Sequence, residues 1–184
     1  MRILLISLVL LAGCATAPAP VAVQRPPFID ASFTFNGRIT VRQGPHHDGT
    51  NIHWVHRGYD EITLLGPLGY TAGRIYRDVN GATLDDAYGK HYAASDAESL
   101  MEKALGWSVP LSDLRYWLVA EPAPEGDFKI ERNPKGQLNL LIQQGWEIRY
   151  TRFTTTKANA LPLELNMSRE GIEVMLKIDE WEAQ

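Results

Sequence analysis

Apolar and polar side chains alternate along residues 33–42, and this period of two is the strongest constraint on the fold. The apolar positions are Phe33, Phe35, Gly37, Ile39 and Val41, and the residues between them are Thr, Asn or Arg. Successive side chains of a β-strand point to opposite faces, so the pattern predicts a strand with one buried and one solvated face. Strands of this kind are typical of antiparallel sheets.

The same alternation returns in six shorter stretches of the chain. Their apolar positions are Ile52 and Trp54; Ile62 and Leu64; Leu138, Leu140 and Ile142; Trp146, Ile148 and Tyr150; Leu163, Leu165 and Met167; and Ile172, Val174, Leu176 and Ile178. Turn sequences are found at Asn80–Gly81, Pro134–Gly136, Gln144–Gly145 and Glu170–Gly171, where Gly or Asn accepts a positive φ. We therefore predict one meandering antiparallel sheet in a mainly β protein.

The middle of the chain has helical spacing instead. Ser95 and Glu98 have the spacing of a capping box, in which each side chain satisfies a backbone N–H near the other residue, and Gly106 is expected to end that helix. Pro110 at a first helical position predicts a second helix. Its apolar positions are Leu111, Leu114, Trp117 and Leu118, and it is expected to end before Pro122 and Pro124.

A strongly twisted sheet with these two short helices against its concave side fits the order of elements best. Such a sheet, if it curls without closing, encloses either a solid core or an apolar cavity. Inward-facing Trp and Met side chains are compatible with both arrangements, and the periodicity does not distinguish them.

The N-terminus indicates where the protein is located. Arg2 and the apolar run of residues 3–11 are typical of a secretory signal peptide, because the run is shorter than the roughly 20 residues that cross a bilayer. Ala12 and Gly13 stand before Cys14 as in a lipobox, where the cysteine is acylated and becomes the new N-terminus. The alternative is an ordinary signal peptide in which Cys14 is incidental. Ala15 lacks the acidic character associated with inner-membrane retention, so we expect a lipid-anchored protein of the outer membrane that faces the periplasm.

These signals divide the chain into a signal peptide at residues 1–13, a lipidated N-terminus and tether at 14–27, and one folded domain at 28–184. The tether carries Pro18, Pro20, Pro26 and Pro27 and favours extended backbone. Removal of residues 1–13 takes Arg2 from the 18 basic side chains and none of the 22 acidic ones, so the net charge falls from −4 to −5. This balance argues against nucleic acid as a partner. We expect a monomer.

Sequence signals for catalysis or metal binding are weak. His46, His47 and Asp48 lie in a predicted turn where neighbouring side chains diverge, and His53 and His56 point to opposite faces of a strand. The chain has no Gly-x-Ser-x-Gly elbow, phosphate-binding glycine loop or His-Glu-x-x-His motif. We therefore expect no metal, no cofactor and no enzymatic activity.

Five segments together resemble the LolB family of outer-membrane lipoprotein-localisation factors. In chain order they are residues 35–39 (FNGRI), 64–69 (LLGPLG), 92–98 (YAASDAE), 105–118 (LGWSVPLSDLRYWL) and 175–181 (MLKIDEW). The resemblance implies an open antiparallel half-barrel sheet covered by short α-helices around an apolar cavity. It also implies a receptor that accepts acylated lipoproteins from the periplasmic carrier LolA and inserts them into the lipid of the outer membrane.

The resemblance gives roles to particular residues. The family's membrane-delivery loop matches Pro67, Leu68 and Gly69, with Leu68 protruding; from the residues alone, Leu68 could instead fold back onto the core as a plug. Apolar sheet and helix residues line the family's acyl-chain cavity. By pattern, the candidates here are Phe35, Ile39, Trp54, Leu64, Trp107, Leu114, Trp117, Leu140, Ile148 and Leu176.

Two other classes of function stay open at this stage. The first is a lipoprotein subunit of an envelope assembly machine, which would be an interaction module with a solid core. The second is a lipid-modifying enzyme. Binding of acyl chains by the domain would separate the receptor from the first class, and turnover of a lipid ester would support the second.

Overall fold

Residues 32–182 are described by a computed structural model and fold around one antiparallel sheet. Within this range the strands are β1 (Phe33–Gln43), β2 (His46–His56), β3 (Asp60–Leu65), β4 (Thr71–Asp78), β5 (Gly81–Asp86), β6 (His91–Ala94), β7 (Phe128–Arg132), β8 (Leu138–Gln143), β9 (Trp146–Phe153), β10 (Pro162–Arg169) and β11 (Ile172–Trp181). The helices are α1 (Ala97–Leu105) and α2 (Leu111–Trp117). The predicted signal peptide at 1–13 and the tether at 14–27 lie outside the described residues.

The sheet is a pair of meanders joined at their first and last strands. Its order is β6-β5-β4-β3-β2-β1-β11-β10-β9-β8-β7, so β1 pairs with β11 and the two edges are β6 and β7. The sheet therefore does not close into a barrel. The prediction of a mainly β protein with an open antiparallel sheet and two short helices is confirmed.

Rows of side chains run across the strands on the inner face. One row follows the register from β1 to β5 and is apolar throughout; it consists of Phe35, Trp54, Ile62, Ile75 and Leu84, all of them buried. The alternation predicted for β1 and β2 thus places its apolar members on the face that the helices cover. Burial of such side chains supplies most of the driving force for this packing.

The cap of α1 differs by one residue from the prediction. Asp96, rather than Ser95, is the N-cap, and its Oδ1 accepts a hydrogen bond from the backbone N–H of Ser99 at 2.7 Å. A carboxylate is favoured here because it also interacts with the positive end of the helix dipole. Glu98 does not reach back but accepts a 3.4 Å hydrogen bond from the N–H of Ser112 in α2. Gly106, with φ of 76°, ends the helix as predicted.

Strand β8 does not keep the strict alternation that its sequence indicates. Its buried residues are Leu138, Leu140, Leu141 and Gln143, and the β7–β8 pairing is irregular between Glu131 and Arg132. Leu141 faces Ile148 on the inner side, whereas Leu140 pairs with the exposed Arg149 on the outer side. The inner-face role predicted for Leu140 is therefore wrong, because an irregularity in a strand moves the following side chains to the other face.

A buried charged cluster occupies the end of the inner face where β1 begins. Asp60, which is fully buried, accepts from Trp54 Nε1 at 2.9 Å and from Arg77 Nε at 2.6 Å, and its Oδ1 lies 2.8 Å from His56 Nδ1. The ring of Phe33 covers His56 at a centroid distance of 5.2 Å. The cluster thus connects β2, β3 and β4 through one carboxylate.

The surroundings of Asp60 keep this carboxylate ionised. Burial by itself would raise the pKa of Asp60, but hydrogen bonding from His56 and the charge of Arg77 outweigh it and hold the pKa below its ordinary value. An acid with a lowered pKa stabilises the fold above the pKa of the unfolded chain, which is about 4, and this contribution is lost as the pH falls.

Asp60→Asn is expected to lower the free energy of unfolding at pH 7 by about 3 kcal/mol, because it leaves the partly buried Arg77, whose side chain is 15% exposed, without its counter-charge. Denaturant unfolding at pH 7 and below pH 4 measures the effect, which should shrink at the acid end. Glu61→Gln is the matched control, since Glu61 forms only an exposed 3.8 Å pair with Arg74 and should change stability by about 0.5 kcal/mol or less. Equal stability of Asp60→Asn and the parent at pH 7 would contradict the assignment.

Candidate functional site

An apolar cavity of about 260 Å³ lies between the sheet and the helices. Its walls come from β1 to β4 on one side and from α1, α2 and the link between them on the other. The lining residues are Ile39, Val41, Asp48, Gly49, Thr50, Ile52, Trp54, Ile62, Leu64, Ile75, Met101, Trp107, Val109, Leu111 and Leu114. Aliphatic and aromatic side chains predominate in this set, so the cavity suits an apolar ligand.

The cavity is open at one end and closed at the other. Along β2 the lining residues become progressively more buried, from the exposed Asp48 through the half-buried Thr50 to Trp54, which is 1% exposed. Leu64 and Trp107 are half-buried and mark the open side. Trp54 packs against Phe33 and Phe35, and its indole N–H is fixed by Asp60. The charged cluster therefore anchors the closed end.

Half of the ten residues predicted to line a cavity do so. These are Ile39, Trp54, Leu64, Trp107 and Leu114. Phe35, Trp117, Ile148 and Leu176 are instead fully buried in the packed core, where their side chains fill space rather than border it. Leu140 lies on the outer face, as described above. Sequence periodicity identified inward-facing residues but could not show which part of the interior is hollow.

Residues of β8 and β9 hold α2 and the chain that follows it. The side-chain oxygen of Gln143 accepts from Trp117 Nε1 at 3.0 Å and from the N–H of Ala123 at 2.8 Å, and its amide nitrogen donates to the carbonyls of Ala123 and Glu125 at 2.9 Å each. The hydroxyl of Tyr150 donates to the carbonyl of Trp117 at 2.9 Å. Burial raises the pKa of Tyr150, and the charge of Glu121 raises it further, so the hydroxyl stays a neutral donor. We call Gln143 and Tyr150 the helix latch. The sequence pattern marks Tyr150 only as an apolar position of a strand and gives no signal for Gln143.

The carboxylates of Glu98, Asp113 and Glu125 lie near one another at the helices. Burial raises the pKa of Asp113 in α2, and the nearby charges of Glu98 and Glu125 raise it further. A hydrogen bond from Gln144 and the charge of Arg115 oppose this shift without reversing it. A partner surface that docks there would need basic residues to match it.

The loop between β3 and β4 carries Leu68 at the open end of the cavity. Leu68 is 106% exposed and has a φ of 69°, in the left-handed region that residues other than Gly, Asn and Asp rarely adopt. The loop is closed by hydrogen bonds from the N–H of Gly66 to the carbonyl of Tyr70 at 2.8 Å and from the N–H of Gly69 to the carbonyl of Gly66 at 3.0 Å. The structure therefore excludes the arrangement in which Leu68 folds back onto the core.

Two other structural features are absent from residues 32–182. No group of three or more His, Cys, Asp or Glu residues in this range is arranged to hold a metal ion. Over the same range no helix is long and apolar enough to cross a membrane.

An open antiparallel sheet, two covering helices and an apolar cavity between them define the class of half-barrel folds. The sequence profile of the family described as "Outer membrane lipoprotein LolB" matches residues 31–181. The chain belongs to the LolB family, and it is therefore a lipoprotein-localisation factor held by lipid at the periplasmic face of the outer membrane. This is a localisation role and not a known catalytic one.

Relatives named outer-membrane lipoprotein LolB cover nearly the whole chain. The one from Azoarcus sp. (strain BH72) is 36% identical over 177 residues, which are 94% of this chain and 90% of the relative. The one from Chromobacterium violaceum is 35% identical over 187 residues and covers 98% of both chains. Similarity at this level over the full length supports a shared fold throughout the described domain.

Solved structures with little sequence identity share the fold. A LolA superfamily protein from Nitrosomonas europaea aligns with a TM-score of 0.51 at 13% identity, over 85% of this chain and 88% of that one. A DUF1329 family protein from Desulfovibrio piger aligns with a TM-score of 0.52 at 10% identity, over 83% and 85%. At such low identity these likenesses concern the architecture alone.

Gln143→Ala is expected to lower the free energy of unfolding by about 3 kcal/mol, because it removes four hydrogen bonds and leaves buried polar groups without partners. Denaturant unfolding measures this loss. Asn139→Ala on the same strand is the control, since Asn139 is exposed and its replacement should change stability by about 0.5 kcal/mol or less. A stability loss no larger than that of the control would show that the latch contributes little.

Proposed function

We propose that this protein accepts acylated lipoproteins from a LolA-type periplasmic carrier, holds their acyl chains in the apolar cavity, and inserts them into the outer membrane. The observation that carries the proposal is the cavity itself, which is apolar, closed at Trp54 and open beside Leu68. In this proposal Cys14 carries the protein's own lipid anchor, and the segment at 14–27 lets the domain reach the membrane.

Acyl chains need such a site because their exposure to water is unfavourable in proportion to their apolar area. A receptor takes cargo from a carrier without an energy source only if it binds the chains more strongly, and a difference of about 1.4 kcal/mol shifts the exchange tenfold. The carboxylates around Asp113 support docking of a basic carrier surface near the helices.

The cavity must widen to take up cargo. Its volume of about 260 Å³ is below the roughly 300 to 1,000 Å³ typical of small-molecule sites. Gln143 and Tyr150 hold the C-terminal end of α2 to the sheet, so widening is expected on the side of α1 and the α1–α2 link, where Met101 and Trp107 line the wall.

Leu68 is the residue proposed to act in delivery. Its side chain is fully exposed, and burying one leucine in hydrocarbon contributes about 1.5 to 3 kcal/mol. This is too little to anchor the domain but enough to favour a productive contact between the loaded protein and the bilayer. Proline and glycine on either side present the leucine from the loop of Pro67, Leu68 and Gly69.

The alternative of an interaction subunit in an envelope assembly machine predicts no ligand in the interior. The observed cavity favours the receptor instead, and the two readings differ in a simple measurement. Saturating acylated peptide at about 100 times its Kd should stabilise a receptor by about 2.7 kcal/mol, and it should leave a solid interaction module unchanged.

Val109→Phe is expected to weaken binding of a triacylated peptide about tenfold or more while the domain stays folded. Val109 is buried in the cavity wall, so the added ring occupies space that an acyl chain needs. Binding is measured as ligand-induced thermal stabilisation of the anchor-free protein, in which Cys14→Ala removes the site of the lipid anchor.

The matched control for the cavity is Val79→Phe, which makes the same change at a residue that is 95% exposed in the β4–β5 turn. It should bind the peptide like the parent. Unchanged binding by Val109→Phe, with a normal unfolding transition, would contradict the cavity as the acyl site.

Leu68→Glu is expected to leave folding and cargo uptake intact and to slow release into membranes about tenfold, because a carboxylate resists entry into hydrocarbon. The measurement is transfer of a bound lipoprotein from the loaded, anchor-free protein to liposomes. Leu68→Met should keep near-parental release, since it retains an apolar side chain.

Val79→Glu controls for the added charge, because Val79 has similar exposure at the opposite end of the sheet. Its release rate should equal that of the parent. Equal rates for Leu68→Glu and Val79→Glu would refute the role of Leu68 in delivery.

A further inference from the structure

Exposed large apolar side chains are not spread evenly over the described residues. They are Leu68, Tyr70, Tyr76, Val79, Tyr88 and Ile142. Three of them, Leu68, Tyr70 and Tyr88, lie at the end of the sheet where the cavity opens, and we call these three the apolar rim. The rim contains the two most exposed members, Leu68 and Tyr88, at 106% and 97%.

The rim is formed by two neighbouring hairpins. Leu68 and Tyr70 belong to the β3–β4 loop, and Tyr88 belongs to the β5–β6 turn. Strands β4 and β5 pair as far as Gly73 and Asp86, and beyond this pair the N–H of Ala87 donates to the carbonyl of Ala72 at 3.0 Å. Tyr88 therefore stands beside the start of β4, next to the end of the loop that carries Leu68.

The turn that presents Tyr88 is firmly structured. One carboxylate oxygen of Asp86 accepts from the N–H groups of Tyr88 and Lys90, each at 2.9 Å. The N–H of Asp86 donates to the carbonyl of Lys90 at 3.0 Å, and that of Gly89 donates to the carbonyl of Asp86 at 3.1 Å. A turn with these bonds holds the exposed ring in place, although the ring gains almost no burial within the chain.

We propose that Tyr88 is a second membrane contact, which lies in the headgroup region of a phospholipid bilayer while Leu68 enters the hydrocarbon; this inference rests on the proposed delivery role of Leu68. Tyrosine suits the interface because its ring is apolar and its hydroxyl stays hydrated. The mature protein has a net charge of −5, so apolar side chains, and not general attraction to anionic lipid, make this contact.

Two contacts fix the orientation of the domain on the bilayer, which a single leucine does not. A domain that touches the bilayer only through Leu68 is free to rotate about that point. Contacts on two adjacent hairpins fix the domain with the same end of the sheet toward the lipid, and that end includes the half-buried mouth residues Thr50 and Leu64. The acyl chains then leave the cavity close to the surface that receives them.

The test compares Tyr88→Ser with Val79→Ser in residues 14–184 carrying Cys14→Ala, so that neither the apolar signal run nor a lipid anchor dominates binding. Partition onto vesicles of phosphatidylethanolamine and phosphatidylglycerol is measured by flotation at low and high salt. We expect Tyr88→Ser to partition about tenfold less than the parent, equivalent to about 1.4 kcal/mol, with little salt dependence. Val79→Ser should partition like the parent, since Val79 is exposed at the opposite end of the sheet.

A second variant, Tyr88→Trp, tests the position of the ring directly. Its partition should match that of the parent, and brominated phospholipids should quench its emission beyond the quenching seen for the parent, whose native tryptophans provide the background. Absence of this added quenching would overturn the proposal even if Tyr88→Ser were poorly folded.

Two further results would overturn the inference. One is equal partition of Tyr88→Ser and Val79→Ser. The other is slower cargo uptake from the carrier by Tyr88→Ser with unchanged partition, which would make the rim a protein-docking surface. Failure of the delivery role is recognised separately, because it would show as normal lipoprotein release by Leu68→Glu.

Discussion

The open sheet is the constraint on which the rest of the structure depends. Because β6 and β7 do not pair with each other, the inner face must be covered by other parts of the chain, and two short helices provide the cover. The two helices are not attached to the sheet in the same way. Gln143 and Tyr150 fix α2 with hydrogen bonds to β8 and β9, and the core residues on that side, such as Trp117 and Ile148, are fully buried. The cavity is left on the other side, between the helices and β1 to β4.

The two ends of the hollow side differ in chemistry as well as in exposure. At the closed end, the carboxylate of Asp60 contacts His56, Arg77 and Trp54. These contacts join three strands and make the closed end rigid. At the mouth, half-buried residues and the exposed Leu68 meet solvent. A rigid closed end and an accessible mouth suit a site in which a long apolar chain enters and leaves through the same opening.

Seven of the eleven strands in residues 32–182 could be predicted from the sequence, because their apolar residues recur with a period of two. Strands β4 to β7 were not among them. The loop of Pro67, Leu68 and Gly69 also stood out in the sequence, since a leucine between proline and glycine in a turn is unusual. The residues alone, however, left open whether Leu68 protrudes or folds back onto the core. The irregularity in β8 could not be predicted, because Leu138, Leu140 and Ile142 alternate strictly in the sequence. Only the pairing with β7 shows the irregularity. Likewise, Trp54 and Trp117 look equivalent as inward-facing aromatics. The structure shows the difference between them. Trp117 donates a hydrogen bond to Gln143 of the helix latch and lies in the core, whereas Trp54 borders the cavity.

The free edge of β7 has a consequence for how these molecules coexist on a membrane. Anchored proteins diffuse in two dimensions and meet one another often, and an unpaired strand is a template for joining sheets from different molecules. Strand β7 is only five residues long, and its outward positions carry Lys129 and Glu131, both exposed. Short length and charge on an edge discourage such pairing. The sheet can thus keep an open edge without presenting a long, uncharged strand to neighbouring copies on a crowded surface.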